Sequence, residues 1–200
     1  KISVLNPLLV SIIFVIAVIK IFHIDYETYN SGAKYISYLL TPATVCLAIP
    51  LYRQISVLKE HAKEVFIGIL AGVLASMGSI LLMSYLFGLT HEQYVTLLPK
   101  SITTAIGMGV SEELGGIQTI TVAVIIITGV LGNIIAEAVL KIFRIKEPVA
   151  KGLAIGTASH AIGTTKALEI GEIEGAMSSL SVAVAGLMTV ISASIFANMM

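Results

Sequence analysis

Apolar positions run along this chain in blocks too long for the core of a soluble protein. Ile2 to Ile19, Val65 to Thr90, Leu114 to Ala136 and Gly175 to Met200 each pass without a charged residue. At ~1.5 Å of rise per residue, each block can cross a ~30 Å hydrocarbon core, so the pattern predicts four transmembrane helices. Three further apolar segments are shorter or broken. Tyr35 to Tyr52 is interrupted at Thr41-Pro42 and again at Pro50. Ser101 to Ser111 closes on Glu112-Glu113 and Gly115-Gly116, and Gly152 to Thr165 is rich in Gly, Ser and Thr and carries His160. Short or Gly/Pro-interrupted segments in matching halves of a membrane protein point to a transporter's binding region.

Lysine and arginine set the orientation. The connection 53–64 holds Arg53, Lys59 and Lys63, and 141–151 holds Lys141, Arg144, Lys146 and Lys151, whereas 23–31, 89–93 and 169–174 hold no Lys or Arg. The two basic connections are therefore expected in the cytoplasm. On that footing the first run goes outward, Tyr35–Tyr52 returns and Val65–Thr90 goes outward again. Leu114–Ala136 then comes in, Gly152–Thr165 goes out and the last run comes in. The stretch 94–113, outside at both ends, is expected to be a re-entrant helical hairpin. An offset of 117 sets Gly32-Ala33-Lys34-Tyr35 against Val149-Ala150-Lys151-Gly152, Thr41-Pro42-Ala43 against Ala158-Ser159-His160, and the long run after Val65 against the last run. The fold class that follows is all-α. It is a polytopic transmembrane helical bundle of two inverted repeats, with repeat 1 over 1–92, a re-entrant segment over 93–113 and repeat 2 over 114–200.

Composition agrees with a lipid solvent: 56% of residues are hydrophobic, 12% are charged and the mean hydropathy is +0.97. A soluble domain carries about twice that charge fraction. The net charge of zero gives no reason to expect a nucleic-acid partner. The single cysteine, Cys46, excludes an internal disulfide and a Cys-cluster metal site. P-loops, dinucleotide loops, hydrolase motifs and metal clusters are absent, so no enzyme, cofactor or metal is expected. No cleavable signal peptide is evident. The start at Lys1 rather than Met is read as the loss of an upstream element.

Several polar groups sit where lipid would not tolerate them. Thr41-Pro42 has the form of an N-cap and first helical residue, so it reads either as the start of a half-helix offering N–H groups to an anion or as a proline kink patched by Thr41. Thr157, Ser159, His160, Thr164 and Thr165 cluster between Gly156 and Gly163. His160 reads either as a functional intramembrane histidine able to carry a proton or as a hydrogen-bonding residue between helices. Lys100, Ser101, Thr103 and Thr104 open the re-entrant segment, and Lys100 serves either a carboxylate or the interface. Glu112 or Glu113 could hold a coupling cation or be solvated. Asn6-Pro7 and Asn133 are further candidates, and Glu137 is expected to pair with Lys141 one turn on. Gly68/Gly72 and Gly152/Gly156 have helix-packing spacing.

Leu97-Leu98-Pro99-Lys100-Ser101-Ile102-Thr103-Thr104, followed by Ser111-Glu112-Glu113-Leu114-Gly115-Gly116, resembles the LrgB/CidB family. So do Gly152 to Thr164, Glu172-Ile173-Glu174-Gly175-Ala176, the Asn6-Pro7-Leu8-Leu9 start and Pro42-Ala43-Thr44-Val45 with Ala48-Ile49-Pro50-Leu51-Tyr52. The resemblance covers essentially the whole chain. It implies a multi-pass protein of the bacterial inner membrane, conventionally labelled antiholin-like. Such proteins are associated with control of murein hydrolase activity and cell lysis and act with a smaller LrgA/CidA-like partner. It also implies a further N-terminal transmembrane segment. A plastid relative looks like a glycolate/glycerate transporter, and bacterial members have been linked to pyruvate or related small acids. Two departures stand out: Ala105 where the family commonly has proline, and Glu137-Ala138 near where it has a Gly-Pro-like pair. Together they soften the expected break in the re-entrant segment.

Two readings follow. One is a secondary transporter of small monocarboxylates by an elevator-like or alternating-access route. Its substrate would meet Thr41, Pro42, Ala43, Lys100, Ser101, Thr103, Thr104, Thr157, Ser159, His160, Gly163 and Thr164, with His160, Glu112 or Glu113 for a coupling ion. The other is an antiholin-like regulator acting through helix packing. The glycine seams make a homodimer plausible in either.

Overall fold

A computed structural model describes residues 7–39, 42, 45, 46 and 48–200. Among the described residues the chain is all-helical, and it divides into two compact units, 1–49 and 50–200. In the first unit α1 (Pro7–Ile21) is apolar and ends where His23 turns left-handed (φ 50) and Ile24 N–H reaches back to Ile19 O at 3.0 Å. Next comes α2 (Tyr26–Ser37), which is polar on one side and starts at Asp25, whose carboxylate accepts from Thr28 N–H at 3.0 Å. That bond and the Thr28 hydroxyl hold the Asp25 carboxyl below its ordinary pKa, the hydroxyl contributing more. The connection expected over 23–31 is thus largely helical. Asn6, Thr41 and Ala43 lie outside the described residues; Pro42 is helical and exposed.

The second unit carries α3 (Ala48–Arg53, beginning in the first), α4 (Ile55–Glu60), α5 (Ala62–Phe87), α6 (His91–Leu97), α7 (Thr104–Glu113), α8 (Gln118–Ile142), α9 (Pro148–Ile170) and α10 (Glu172–Ala197). Among the described residues three helices, α5, α8 and α10, are long and apolar enough to cross a membrane. The fourth expected span is represented by α1, which is shorter. The result is a helical membrane bundle.

Helix α5 ends at Gly88 (φ 64), with Leu89 N–H on Ser84 O. A capping box then restarts the chain: Thr90 N–H donates to Gln93 Oε1 at 2.9 Å and Gln93 N–H to Thr90 Oγ1 at 3.3 Å. Helices α6 and α7, of 7 and 10 residues, are each too short to cross. The chain turns back over 98–103, and its two limbs meet where Thr96, at the end of α6, lies beside Ser111 and Gly116 of the returning limb. Ile117 N–H donates to Thr96 Oγ1 at 2.8 Å, and Thr121 Oγ1 lies 2.9 Å from Thr96 O and 2.7 Å from Ser111 Oγ.

The largest departure from expectation is α9. His160 has φ 43 and ψ −145, which breaks the helix, and beyond it the chain reverses. Gly163 lies against Ser159 and Ile155, far closer than a straight helix would bring residues eight apart. Both ends of α9 lie beside the start of α10: Lys151 pairs with Glu174 at 3.4 Å, and Gly152 abuts Glu174 and Met177. The first arm runs alongside α10 in the same direction, Gly152 against Met177 and Gly156 against Ser178 and Ser181. The second arm runs opposite to it, Thr164 on Ser178 and Leu168 on Gly175. The segment 152–165 therefore does not cross, and 169–174 returns to the end of the bundle that holds 141–151. Charge alone placed it at the other end. What it missed is the close approach allowed by the small residues on both arms.

Direction follows for the rest. Gly68 meets Leu153, Gly72 meets Thr157, and Tyr85 OH donates to Met199 O, so α5 and α10 run the same way. The 117-residue offset consequently does not relate these two helices by inversion. The inversion among the described residues is elsewhere. Helix α5 and the α6–α7 hairpin run in one direction, and α8 and the α9 hairpin run in the other. The two hairpins enter from opposite ends, and both tips reach the depth of Ile125, which touches Gly107 and accepts from the His160 ring at 3.0 Å. Both basic connections, 53–64 and 141–151, share one end, since His61 and Glu64 face Glu147 and Ala150 across a common cavity. That agrees with their expected placement on one side.

Candidate functional site: a cavity ending at two hairpin tips

A cavity of about 710 Å³ opens at this basic end between α5 and the first arm of α9. Its mouth carries His61, Glu64 and Glu147, and its walls are mostly Gly and Ala. The wall on α5 is made by Gly68, Gly72, Ser76 and Ser79, a stripe of small residues in an otherwise bulky apolar helix. At the inner end stand Lys100 and Ser101 from the first hairpin tip, with Thr157 one turn before the second. Deeper still, buried Met77, Leu98 and Ile102 fill the bundle.

The polar groups converge. Lys100 Nζ donates to Ser101 Oγ at 3.0 Å and lies 3.5 Å from Ser76 Oγ, and Ser76 Oγ donates to Ser101 Oγ at 3.0 Å. Among the described residues no carboxylate pairs with Lys100. On insertion scales a lysine at membrane depth costs about 2.5–3.5 kcal/mol, so such a charge marks a pathway or a site. The Thr157 hydroxyl is buried and has no hydrogen-bond partner. Its residue is 6% exposed, and a Cβ on Gly72 would stand 2.5 Å from its methyl, so only glycine lets α5 approach here. A lone ammonium, two hydroxyls and an unsatisfied third hydroxyl are thus gathered at the inner end of the cavity.

The chain matches the model of the LrgB-like family over residues 1–199. It is 39% identical over 186 residues to "Antiholin-like protein LrgB" of Bacillus mycoides (strain KBAB4), a match covering 93% of this chain and 81% of that one. The proteins of the same name in Bacillus cereus (strain B4264) and Bacillus anthracis (strain CDC 684 / NRRL 3495) match with the same figures. The chain belongs to the LrgB-like family. No solved structure matches it.

Within this LrgB-like bundle the residues singled out from sequence separate into two groups. Lys100, Ser101 and Thr157 come together in the cavity. Ser159, His160, Gly163 and Thr164 do not line it; they build the reversal. Ser159 packs on Gly132, and the His160 ring bonds the Ile125 carbonyl and covers Gly129. Thr164 Oγ1 donates to His160 O at 3.1 Å, and Asn133 Nδ2 donates to Ile162 O at 3.0 Å and Thr165 Oγ1 at 2.9 Å, quieting backbone freed by the break. Thr103 and Thr104 begin α7 beside the tip but outside the cavity lining. Glu112 and Glu113 are exposed at the other end of α7. Glu137 ion-pairs with Lys166 at 2.6 Å, across to α9; the expected partner was Lys141 on its own helix. Ser76 was not singled out, yet its signal was in the sequence: Gly68, Gly72 and Ser76 recur every fourth residue and so share one face of α5.

Proposed function

We propose that the chain is a secondary transporter of small monocarboxylates of the pyruvate, lactate and glycolate kind in the bacterial cytoplasmic membrane. The observation that carries this reading is the Lys100 ammonium at the inner end of the cavity, without a carboxylate partner among the described residues and braced by Ser76 and Ser101. A substrate carboxylate would complete that charge pair, and the Thr157 hydroxyl would donate to a second substrate oxygen. One lysine suits one carboxylate. The cavity exceeds what a small acid fills, so it serves as an approach and the polar floor as the seat.

Support for alternating access comes from the two opposed hairpins. The cavity runs from the basic end down to Lys100, where the packed residues around the first tip end it. Movement of the hairpins against α5 and α8 would open the opposite path. In this reading the protein is not an enzyme and needs no cofactor. The test is uptake of labelled pyruvate and glycolate into proteoliposomes. Wild type accumulates them, and Lys100→Gln and Ser101→Ala lose most of the uptake.

A second reading is favoured by the names of the relatives: an antiholin-like regulator, for which we propose an LrgA/CidA-like membrane partner. Inert vesicles across a panel of acids, with an intact effect on lysis in cells, would select it. The two readings are compatible if altered acid flux is what leads to lysis.

A further inference from the structure

A second cavity, of about 520 Å³, lies at the basic end of the bundle, separate from the site at Lys100. Helix α8 has 25 residues, about 37 Å at 1.5 Å per residue, so a centred α8 carries its last turn out of a ~30 Å core into the headgroup layer. There Lys141, Arg144 and Lys146 join Lys151 of α9 around one cavity. Lys151 is committed to Glu174, and the carboxylate in the lining, Glu137, is held by Lys166. Among the described residues Lys141, Arg144 and Lys146 make no ion pair.

The backbone adds an independent sign. Arg144 is left-handed, at φ 54, where Ile145 N–H closes α8 on Leu140 O at 2.9 Å. That helix-ending position ordinarily goes to glycine, because a Cβ is strained there. The chain accepts the strain and holds a guanidinium at the cavity. Complementing the α8 dipole accounts for a cation such as Lys141 in the last turn. It accounts neither for Lys146, beyond the helix, nor for an arginine in glycine's place.

We propose that this cavity binds the phosphate of an anionic phospholipid headgroup. The Arg144 fork matches phosphate oxygens two at a time, and Lys141 and Lys146 supply the remaining charge. Leu140, Ile145 and Ile170 give the apolar floor over which the glycerol and acyl portion would lie. Position at headgroup level and charge complementarity both favour a lipid over a free ion, since basic pockets of this kind face the anionic leaflet.

The test uses the whole chain in neutral detergent and reads the unfolding temperature with phosphatidylglycerol, with phosphatidylcholine of the same acyl chains, and with inorganic phosphate. Phosphatidylglycerol is expected to raise the midpoint by several degrees more than phosphatidylcholine. Arg144→Gly relieves the left-handed strain, so its lipid-free midpoint should equal or exceed wild type while the phosphatidylglycerol increment falls by at least half. Lys141→Gln/Lys146→Gln should lose the increment without touching the turn. Equal effects of the two lipids, or an increment that survives in both variants, would overturn the proposal. So would inorganic phosphate reproducing the whole increment, which would make this a free-anion site.

Discussion

Replacing Thr157 by valine exchanges a buried hydroxyl for a methyl of similar size. The hydroxyl has no hydrogen-bond partner, and an unsatisfied buried polar group costs about 1–3 kcal/mol. The new methyl would stand where Oγ1 is, 3.7 Å from where a Gly72 Cβ would lie; since Gly72 has none, no clash arises on that side. The substrate-free protein should therefore gain about 1–3 kcal/mol. For a chain of this length each kcal/mol is worth about 2–4 °C, so the midpoint should rise by about 2–12 °C. If the proposed function holds, the same change removes a donor from the substrate's seat. Losing a hydrogen bond of about 0.5–1.5 kcal/mol should raise the half-saturating pyruvate concentration about 2- to 12-fold. Scanning fluorimetry in detergent and concentration-dependent uptake in proteoliposomes read the two effects. A Thr157→Val protein that is less stable than wild type, with unchanged uptake, would refute the reasoning. The orphan hydroxyl would then be structural.

Three further outcomes are expected. With Cys46 replaced by serine, cysteines introduced at Glu172 and at Lys146 should react with an impermeant thiol reagent from the same side of the membrane; labelling from opposite sides would show that α9 crosses. Gly132→Ala would drive a methyl into Ser159 and should destabilise by about 1–3 kcal/mol, read as a lowered unfolding midpoint; a midpoint within error of wild type would mean that α8 and the second tip are not in close contact. Asn133→Leu removes one of two side-chain donors to the Ile162 carbonyl, the Thr165 hydroxyl remaining at 2.8 Å, and should cost about 0.5–1.5 kcal/mol, again read as the midpoint; an unchanged midpoint would mean that this carbonyl does not depend on the Asn133 bond.

The uncharged runs of α5, α8 and α10 were legible because length and apolarity alone decide whether a helix can span. The turn-back within 94–113 was equally legible, since the charge-derived orientation put both its ends on one side and Gly115-Gly116 closes it within too few residues to cross twice. The reversal at His160 was only half legible. Gly, Ser and Thr around it announced a break, but its angle depends on the close packing of Ser159 on Gly132 and Gly163 on Ile155, which no periodicity encodes. The positive-inside count then misplaced 169–174, because short acidic connections contribute little to topology. In the candidate site Lys100, Ser101 and Thr157 were found as polar groups at helix breaks. Ser76 sits in a continuous helix, where a serine looks unremarkable until a second helix comes close. His160 drew attention as an ionisable group, whereas its ring and carbonyl are both engaged in holding the turn.

At the centre of the account is an ammonium, Lys100, waiting for a carboxylate at the bottom of a cavity. Competition against labelled pyruvate uptake by unlabelled pyruvate and by neutral pyruvamide tests that directly, in wild type and in Lys100→Gln. Wild type should be inhibited by the acid at concentrations at least tenfold lower than by the amide, and Lys100→Gln should transport weakly and lose that preference. Equal inhibition by acid and amide in wild type, or a preference undiminished in Lys100→Gln, would contradict the account.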